Sequence, residues 1–197
     1  MMIDGNYDDV VDRLKTHGFS YKDKYIFELD NAEQILRNAM QYFAKLESFT
    51  PQWIDSYNDV VEWLKSNENK GLFLYGDCGL GKSFMARYIL PAIFMKYHQK
   101  VLKVYDIVEM NKNIDEALRR KLIVLDDIGT EEPINIYGSK RYAFSELIDN
   151  AEKNGNILII TTNLNKDEII SRYGERVLDR IISTTKRVEF KGKSFRV

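Results

Sequence analysis

The chain has 197 residues, enough for one well-buried core, and its 44% hydrophobic and 30% charged residues are the mix of an ordinary globular protein. No apolar run approaches the ~20 residues that span a bilayer. Met1-Met2-Ile3-Asp4-Gly5 has neither the basic nor the apolar region of a secretory leader. With a single cysteine, Cys78, and two histidines, an internal disulfide and a His-rich metal site are excluded, so a cytoplasmic protein is expected. The net charge of −1 is unevenly spread: residues 1–138 carry 17 Lys/Arg against 22 Asp/Glu, and residues 139–197 carry 12 against 8. Such a basic C-terminal third is either a face for a polyanion or acidic neighbour, or an ordinary solvated surface.

In chain order, residues 1–70 read as mainly helical. Val10, Val11 and Leu14 give a helix over Tyr7 to Thr16 that stops at His17-Gly18. Tyr25 to Leu29 is either a short strand or an extended docking segment. Asp30 or Asn31 then caps a helix with Ile35, Leu36, Ala39, Met40, Phe43 and Leu46 at helical spacing. Thr50 as N-cap with Pro51 in the first turn predicts a further helix, whose apolar face is Trp53, Ile54, Tyr57, Val60, Val61 and Leu64. Asn67 to Gly71 breaks it.

From Gly71 short apolar strands alternate with helices. Leu72–Tyr75, Val101–Tyr105, Leu122–Asp126, Ile157–Thr161 and Arg187–Phe190 read as strands. A helix from Lys82 to about Tyr97, a short helical stretch, a helix over Ser139 to Lys153 and two short helices within Lys166–Ser183 are interleaved with them. Residues from Gly129 to Gly138 read as a loop. Strands apolar on both faces argue for a parallel sheet covered by helices, an α/β fold.

Three strand ends carry chemistry. Gly76-Asp77-Cys78-Gly79-Leu80-Gly81-Lys82-Ser83 fits the pattern G-x-x-x-x-G-K-[ST] between an apolar strand and an amphipathic helix. Its glycines let backbone N–H groups face a phosphate chain, and the helix start adds its positive dipole end. Lys82 reaches the β- and γ-phosphates of a nucleoside triphosphate, and Ser83 takes a magnesium position. Phe84 is placed with these cofactor-binding residues. Asp126 and Asp127 end the next acidic strand: Asp126 is assigned to magnesium, directly or through water, and Asp127 to the attacking water. Asn163, after Ile157–Thr161, sits where parallel strand ends line a ligand crevice and is assigned to the γ-phosphate side. Cys78 reads as incidental to the loop. Trp53, Tyr57 and Trp63 read as core or pocket wall. Arg176 and Arg180, four apart on a short helix, share a face and either reach a neighbouring subunit's phosphate or make surface ion pairs.

Together GDCGLGKS, LIVLDDIG, IITTNL, YGERVLDRI and VEFKGKSFRV resemble the DnaC/IstB-like branch of AAA+ ATPases, from about Gly71 to the C-terminus. The resemblance implies a P-loop NTPase core with a five-stranded parallel sheet over residues 71–197. Residues 1–70 are expected to precede it as helices outside the resemblance, and, as a departure from the family pattern, no C-terminal lid domain is expected after Arg196. It makes Lys82 and Ser83 Walker A, Asp126 and Asp127 Walker B, and Asn163 sensor 1. Arg180 becomes the arginine finger, with Arg176 second, and Arg196 becomes sensor 2. ATP and Mg2+ are the implied ligands. The implied activity is slow, partner-stimulated ATP hydrolysis that loads or remodels a replicative helicase, with single-stranded DNA and an ATP-dependent homo-oligomer as partners and no membrane. Alternatives are a transposition helper acting on a transposase, a small-molecule P-loop kinase and a non-hydrolysing nucleotide-binding adaptor. Asp127 stands where many AAA+ proteins carry Glu, although this branch often has Asp-Asp.

Overall fold

The computed structural model describes residues 7–19, 22, 25–112, 114–136 and 139–195. The expected sensor 2 residue, Arg196, lies outside the described residues. The N-terminal elements are α1 (Asp8–Thr16), α2 (Ala32–Leu46) and α3 (Ser56–Lys65). They precede β1 (Gly71–Gly76), after which a helical rod covers residues 82–98. In the rod, α4 (Lys82–Phe84) and α5 (Leu90–Ile93) alternate with π-helical turns at Met85–Ile89 and Phe94–His98. Pro91 lacks the N–H that would bond the Arg87 carbonyl, so the α-helical ladder is interrupted beside the first π turn.

Next come β2 (Lys103–Asp106), α6 (Ile107–Lys112), α7 (Ile114–Leu118) and β3 (Leu122–Ile128). A small antiparallel pair follows, β4 (Ile134–Ile136) with β5 (Ser139–Arg141). The remainder is α8 (Ala143–Asn154), β6 (Ile157–Thr162), α9 (Lys166–Tyr173), α10 (Glu175–Thr184) and β7 (Thr185–Phe190).

The main sheet has five strands in the order β2-β3-β6-β1-β7, all paired in parallel. This is the parallel α/β sheet expected from the strands' apolar composition, with the five strands that the resemblance implied. Successive side chains of a strand point to opposite faces, and here both faces are apolar. Leu72, Leu74, Val124, Ile157, Ile159 and Val188 pack with α2, α3 and the rod. Phe73, Ile123, Leu125, Leu158 and Ile160 pack with the helices between α6 and α10. Three layers result, with one apolar cluster on each side of the sheet.

The N-terminal helices α2 and α3 share the first of these clusters: Leu36, Val60, Trp63 and Leu64 are all fully buried in it. Tyr25 to Leu29 is an extended docking segment with a single bridge, Glu28 to Ser66. Buried Asn67 fastens that segment, accepting from Phe27 N at 3.0 Å and donating to Tyr25 O at 2.8 Å. Helix α1 buries no residue, and Leu46 at the end of α2 is exposed.

Three expectations need correction. The helix expected from Thr50-Pro51 starts at Ser56: residues 49–52 serve as wall of a cleft, and Trp53 is engaged elsewhere. Its ring lies 3.6 Å from the Arg37 guanidinium, and its Nε1 donates to Asn58. The stretch from Gly129 to Gly138 contains β4, which pairs with β5, so the helix expected from Ser139 starts at Ala143. The cap expected at Asn31 is positional alone: Asn31 adopts φ 55° and its side chain makes no capping bond. Among the described residues no helix is long and apolar enough to cross a membrane.

Candidate functional site

The loop from Gly76 to Gly81 joins the C-terminal end of β1 to the start of the rod. Gly79 and Gly81 adopt φ 78° and 88°, a region that side-chain-bearing residues rarely enter. A Cβ on Gly79 would collide with Ser194 Oγ, and one on Gly81 would lie 2.8 Å from the Tyr57 hydroxyl oxygen. The loop is thus pressed from both sides. Tyr57 donates to Leu80 O at 3.0 Å, and burial pushes its hydroxyl pKa up to about 12, so it stays a donor. On the other side Phe195 N donates to Gly79 O at 3.0 Å, and Gly192 N donates to Asp77 Oδ2 at 3.1 Å.

Lys82 is 6% exposed, and its Nζ donates to Gly76 O at 2.9 Å and Asp77 O at 2.7 Å. The loop opens on a cleft of 760 Å³, in the range of small-molecule sites. Cys78, Gly79, Gly81, Lys82, Ser83 and Phe84 form its floor. Asp127, Thr161 and Asn163 close one side. The other wall comes from the N-terminal segment: Met40, Glu47, Phe49 to Gln52 and Tyr57, with Tyr88 and Phe195 nearby. Gly76, Asp77, Leu80, Asp126 and Arg180 do not line it. Leu80 is buried as a side chain, and Asp77 is turned toward the C-terminal segment.

The end of β3 divides its two acids. The β3–β6 register shifts between Leu125 and Ile128, and Asp127 takes φ 62° within that bulge. A bulge re-aims the side chains beside it, and here the consecutive carboxylates face different partners. Asp127 enters the cleft, where its Oδ1 accepts from Asn163 Nδ2 at 3.1 Å. Asp126 is 5% exposed; its Oδ1 accepts from Thr161 Oγ1 at 2.6 Å and its Oδ2 from Arg87 Nη1 at 3.1 Å. Thr161 also accepts from Asp127 N at 2.8 Å, so one hydroxyl fixes both acids. Thr161 was readable as part of Thr161-Thr162-Asn163, but not as the residue that joins β6 to both carboxylates. Nothing in the sequence marks Arg87 beyond its place one turn after Ser83.

The turn after Asp127 is also held. Glu131 is fully buried; its Oε2 accepts from Gly129 N at 2.8 Å, and its Oε1 accepts from the Tyr173 hydroxyl. Arg172 donates to its carbonyl. Burial, then the Glu131 contact, push the Tyr173 pKa well above its ordinary value. These bonds tie the turn to the end of α9, directly ahead of α10. On α10, Arg180 is bound to Asp149 and, at 2.8 Å, to Glu152, both of α8. Arg176 is far more open, with a side chain 76% exposed and Asp149 Oδ2 at 3.7 Å.

The donor set fits a triphosphate and a divalent cation: a tight glycine turn at a helix start, one amine, one hydroxyl and a pair of carboxylates. Among the described residues no cluster of three His, Cys, Asp or Glu side chains forms a separate metal site.

Comparison with known proteins agrees with this chemistry. The replicative helicase loader DnaI of Bacillus subtilis (strain 168) is 33% identical over 104 residues, covering 45% of this chain. The chain spans about a third of the length of that relative, 33%. A crystal structure of DnaI matches with a TM-score of 0.58 at 15% identity, covering 81% of this chain and 94% of that one. A crystal structure of the DnaC helicase loader matches at TM-score 0.49 and 24% identity, over 86% and 95% of the two chains. The DnaI structure shows the shared fold, and the resemblance to DnaC-like AAA+ ATPases holds. The family described as Novel STAND NTPase 3 (nSTAND3) matches residues 53–189, which hold the phosphate loop, both acids and Asn163, and the chain belongs to that NTPase family.

Proposed function

We propose that this chain is an ATP-hydrolysing switch that loads or remodels a replicative DNA helicase. The observation that carries this reading is the 33% identity to a replicative helicase loader. The geometry supports the chemistry. ATP lies in the cleft with its phosphates over Gly79 to Ser83, and Lys82 exchanges its two carbonyl partners for β- and γ-phosphate oxygens. Ser83 and Asp126 would hold magnesium, which would supply positive charge to neutralise what develops on those oxygens. Asp127 and Asn163 orient a water for in-line attack on the γ-phosphorus. The bond to the β–γ bridging oxygen breaks, ADP leaves, and the water's proton passes to Asp127 and on to solvent. Arg180 completes a neighbour's site once it exchanges Asp149 and Glu152 for the γ-phosphate, which makes turnover depend on assembly and on the partner. Single-stranded DNA is proposed to run along the basic C-terminal third.

Thr161→Val tests the positioning of the acids. The change keeps the shape but leaves Asp127 N and Asp126 Oδ1 without their partner. Each such orphan costs about 1–3 kcal/mol where buried. Turnover is expected to fall about ten- to a hundredfold with ATP affinity changed far less, read as kcat against Kd.

The functional reading is tested by mixing the chain with the cognate replicative helicase, with and without ATP and single-stranded DNA, and following complex formation by gel filtration together with phosphate release. An ATP-dependent complex with raised turnover is expected. No complex under any nucleotide condition would rule out the loader role while leaving the ATPase intact.

A further inference from the structure

Asp126, the residue assigned to magnesium, has both carboxylate oxygens engaged within the protein. Thr161 Oγ1 holds Oδ1 at 2.6 Å, and Arg87 Nη1 holds Oδ2 at 3.1 Å. Arg87 stands at the centre of the π turn Met85–Ile89, four residues after Ser83. Such turns recur at functional sites, because the wider winding re-aims the side chains on them. Arg87 is also placed near a second acid. Asp106, at the end of β2, is in register with Asp126 on β3, and both carboxylates raise the Arg87 pKa, with the bond to Asp126 the largest cause. Asp106 accepts a hydrogen bond from Val108 N and acts on Arg87 through its charge.

A positive charge on the oxygen that a divalent cation needs is a competitor. We propose that Arg87 is a positioning residue that competes with magnesium for Asp126 Oδ2 and thereby sets the magnesium concentration at which the nucleotide site closes. Thr161 keeps Oδ1 fixed in either case, so only Oδ2 changes partner. Magnesium at Ser83 and Asp126 displaces the guanidinium, whose side chain is 37% exposed and has solvent to move into. The site thus responds to metal and nucleotide together, rather than to nucleotide alone. The inference rests on the reading of the cleft as a magnesium–nucleotide site.

The test is the magnesium dependence of binding, measured with a fluorescent ATP analogue at fixed nucleotide and rising Mg2+. Wild type, Arg87→Met and Arg87→Lys are compared, with thermal melting to check the fold. Removing one cation next to a divalent site is expected to lower the half-saturating Mg2+ about three- to tenfold in Arg87→Met, with Arg87→Lys in between. Nucleotide affinity without Mg2+ should not change. In wild-type protein labelled with 15N-arginine, the Arg87 side-chain resonance should shift when Mg2+ is added to the nucleotide complex. It should stay put with nucleotide alone. Unchanged or higher half-saturating Mg2+ in a folded variant, or an Arg87 resonance indifferent to Mg2+, would overturn the inference by itself. Absence of nucleotide binding by wild type at every Mg2+ concentration would overturn the nucleotide-site reading and this inference with it.

Discussion

Replacing Lys82 with alanine is expected to reduce ATP turnover about 10²-fold or more, the usual consequence of deleting one charged donor to a developing phosphoryl transition state. The reason is positional. Among the described residues Lys82 is the one amine that lines the cleft, held by the Gly76 and Asp77 carbonyls. An amine so placed moves onto phosphate with little rearrangement, because it exchanges one set of oxygens for another. ATP affinity should fall further than ADP affinity, since the γ-phosphate is lost as a partner only for ATP. The substitution also strips two loop carbonyls of a donor, at about 1–3 kcal/mol where buried. Melting curves therefore accompany the binding titrations, with competing ADP and ATP as the readout.

Asp127→Asn is the second large effect, in the opposite pattern. Hydrolysis is expected to fall about 10²- to 10⁴-fold, the range for removing a general base, while ATP binding stays within a few-fold of wild type. Asparagine keeps an oxygen that accepts from Asn163 Nδ2, and it tolerates the φ of 62° at this position. What it loses is the negative charge that the proposed mechanism sets against the attacking water. Single-turnover hydrolysis after saturating ATP separates the two steps. A variant that binds ATP normally and hydrolyses it normally would remove Asp127 from the reaction.

The strands and the phosphate loop were legible because local rules decide them. Leu72 to Tyr75 and Ile157 to Thr161 are apolar on both faces, which suits a sheet covered on both sides. The glycine spacing around Lys82 fits one kind of turn. What local rules miss is what distant groups impose. Thr50-Pro51 has the chemistry of a helix start, yet α3 begins at Ser56, whose hydroxyl donates to Glu189 O at 2.7 Å across the fold. Asp126 and Asp127 are neighbours in sequence, but the bulge and the Thr161 hydroxyl turn one toward Arg87 and the other toward the cleft. Tyr57 was readable as core or pocket wall, and it is both: buried, and bonded to Leu80 O inside the cleft wall. The arginines of α10 were readable as ion pairs or as groups for a neighbour. Arg180 makes the ion pairs within this chain, and its role toward a neighbour belongs to the proposed assembly.

The cleft whose floor includes Cys78, Gly79, Gly81, Lys82 and Ser83 is proposed to take ATP with magnesium. Titration calorimetry of the purified chain with a non-hydrolysable ATP analogue, with Mg2+ and with chelator, tests this most directly. One site per chain, tighter with Mg2+ and lost in Lys82→Ala, is the expected result. Heat that is absent, or that is the same for wild type and Lys82→Ala, would contradict it.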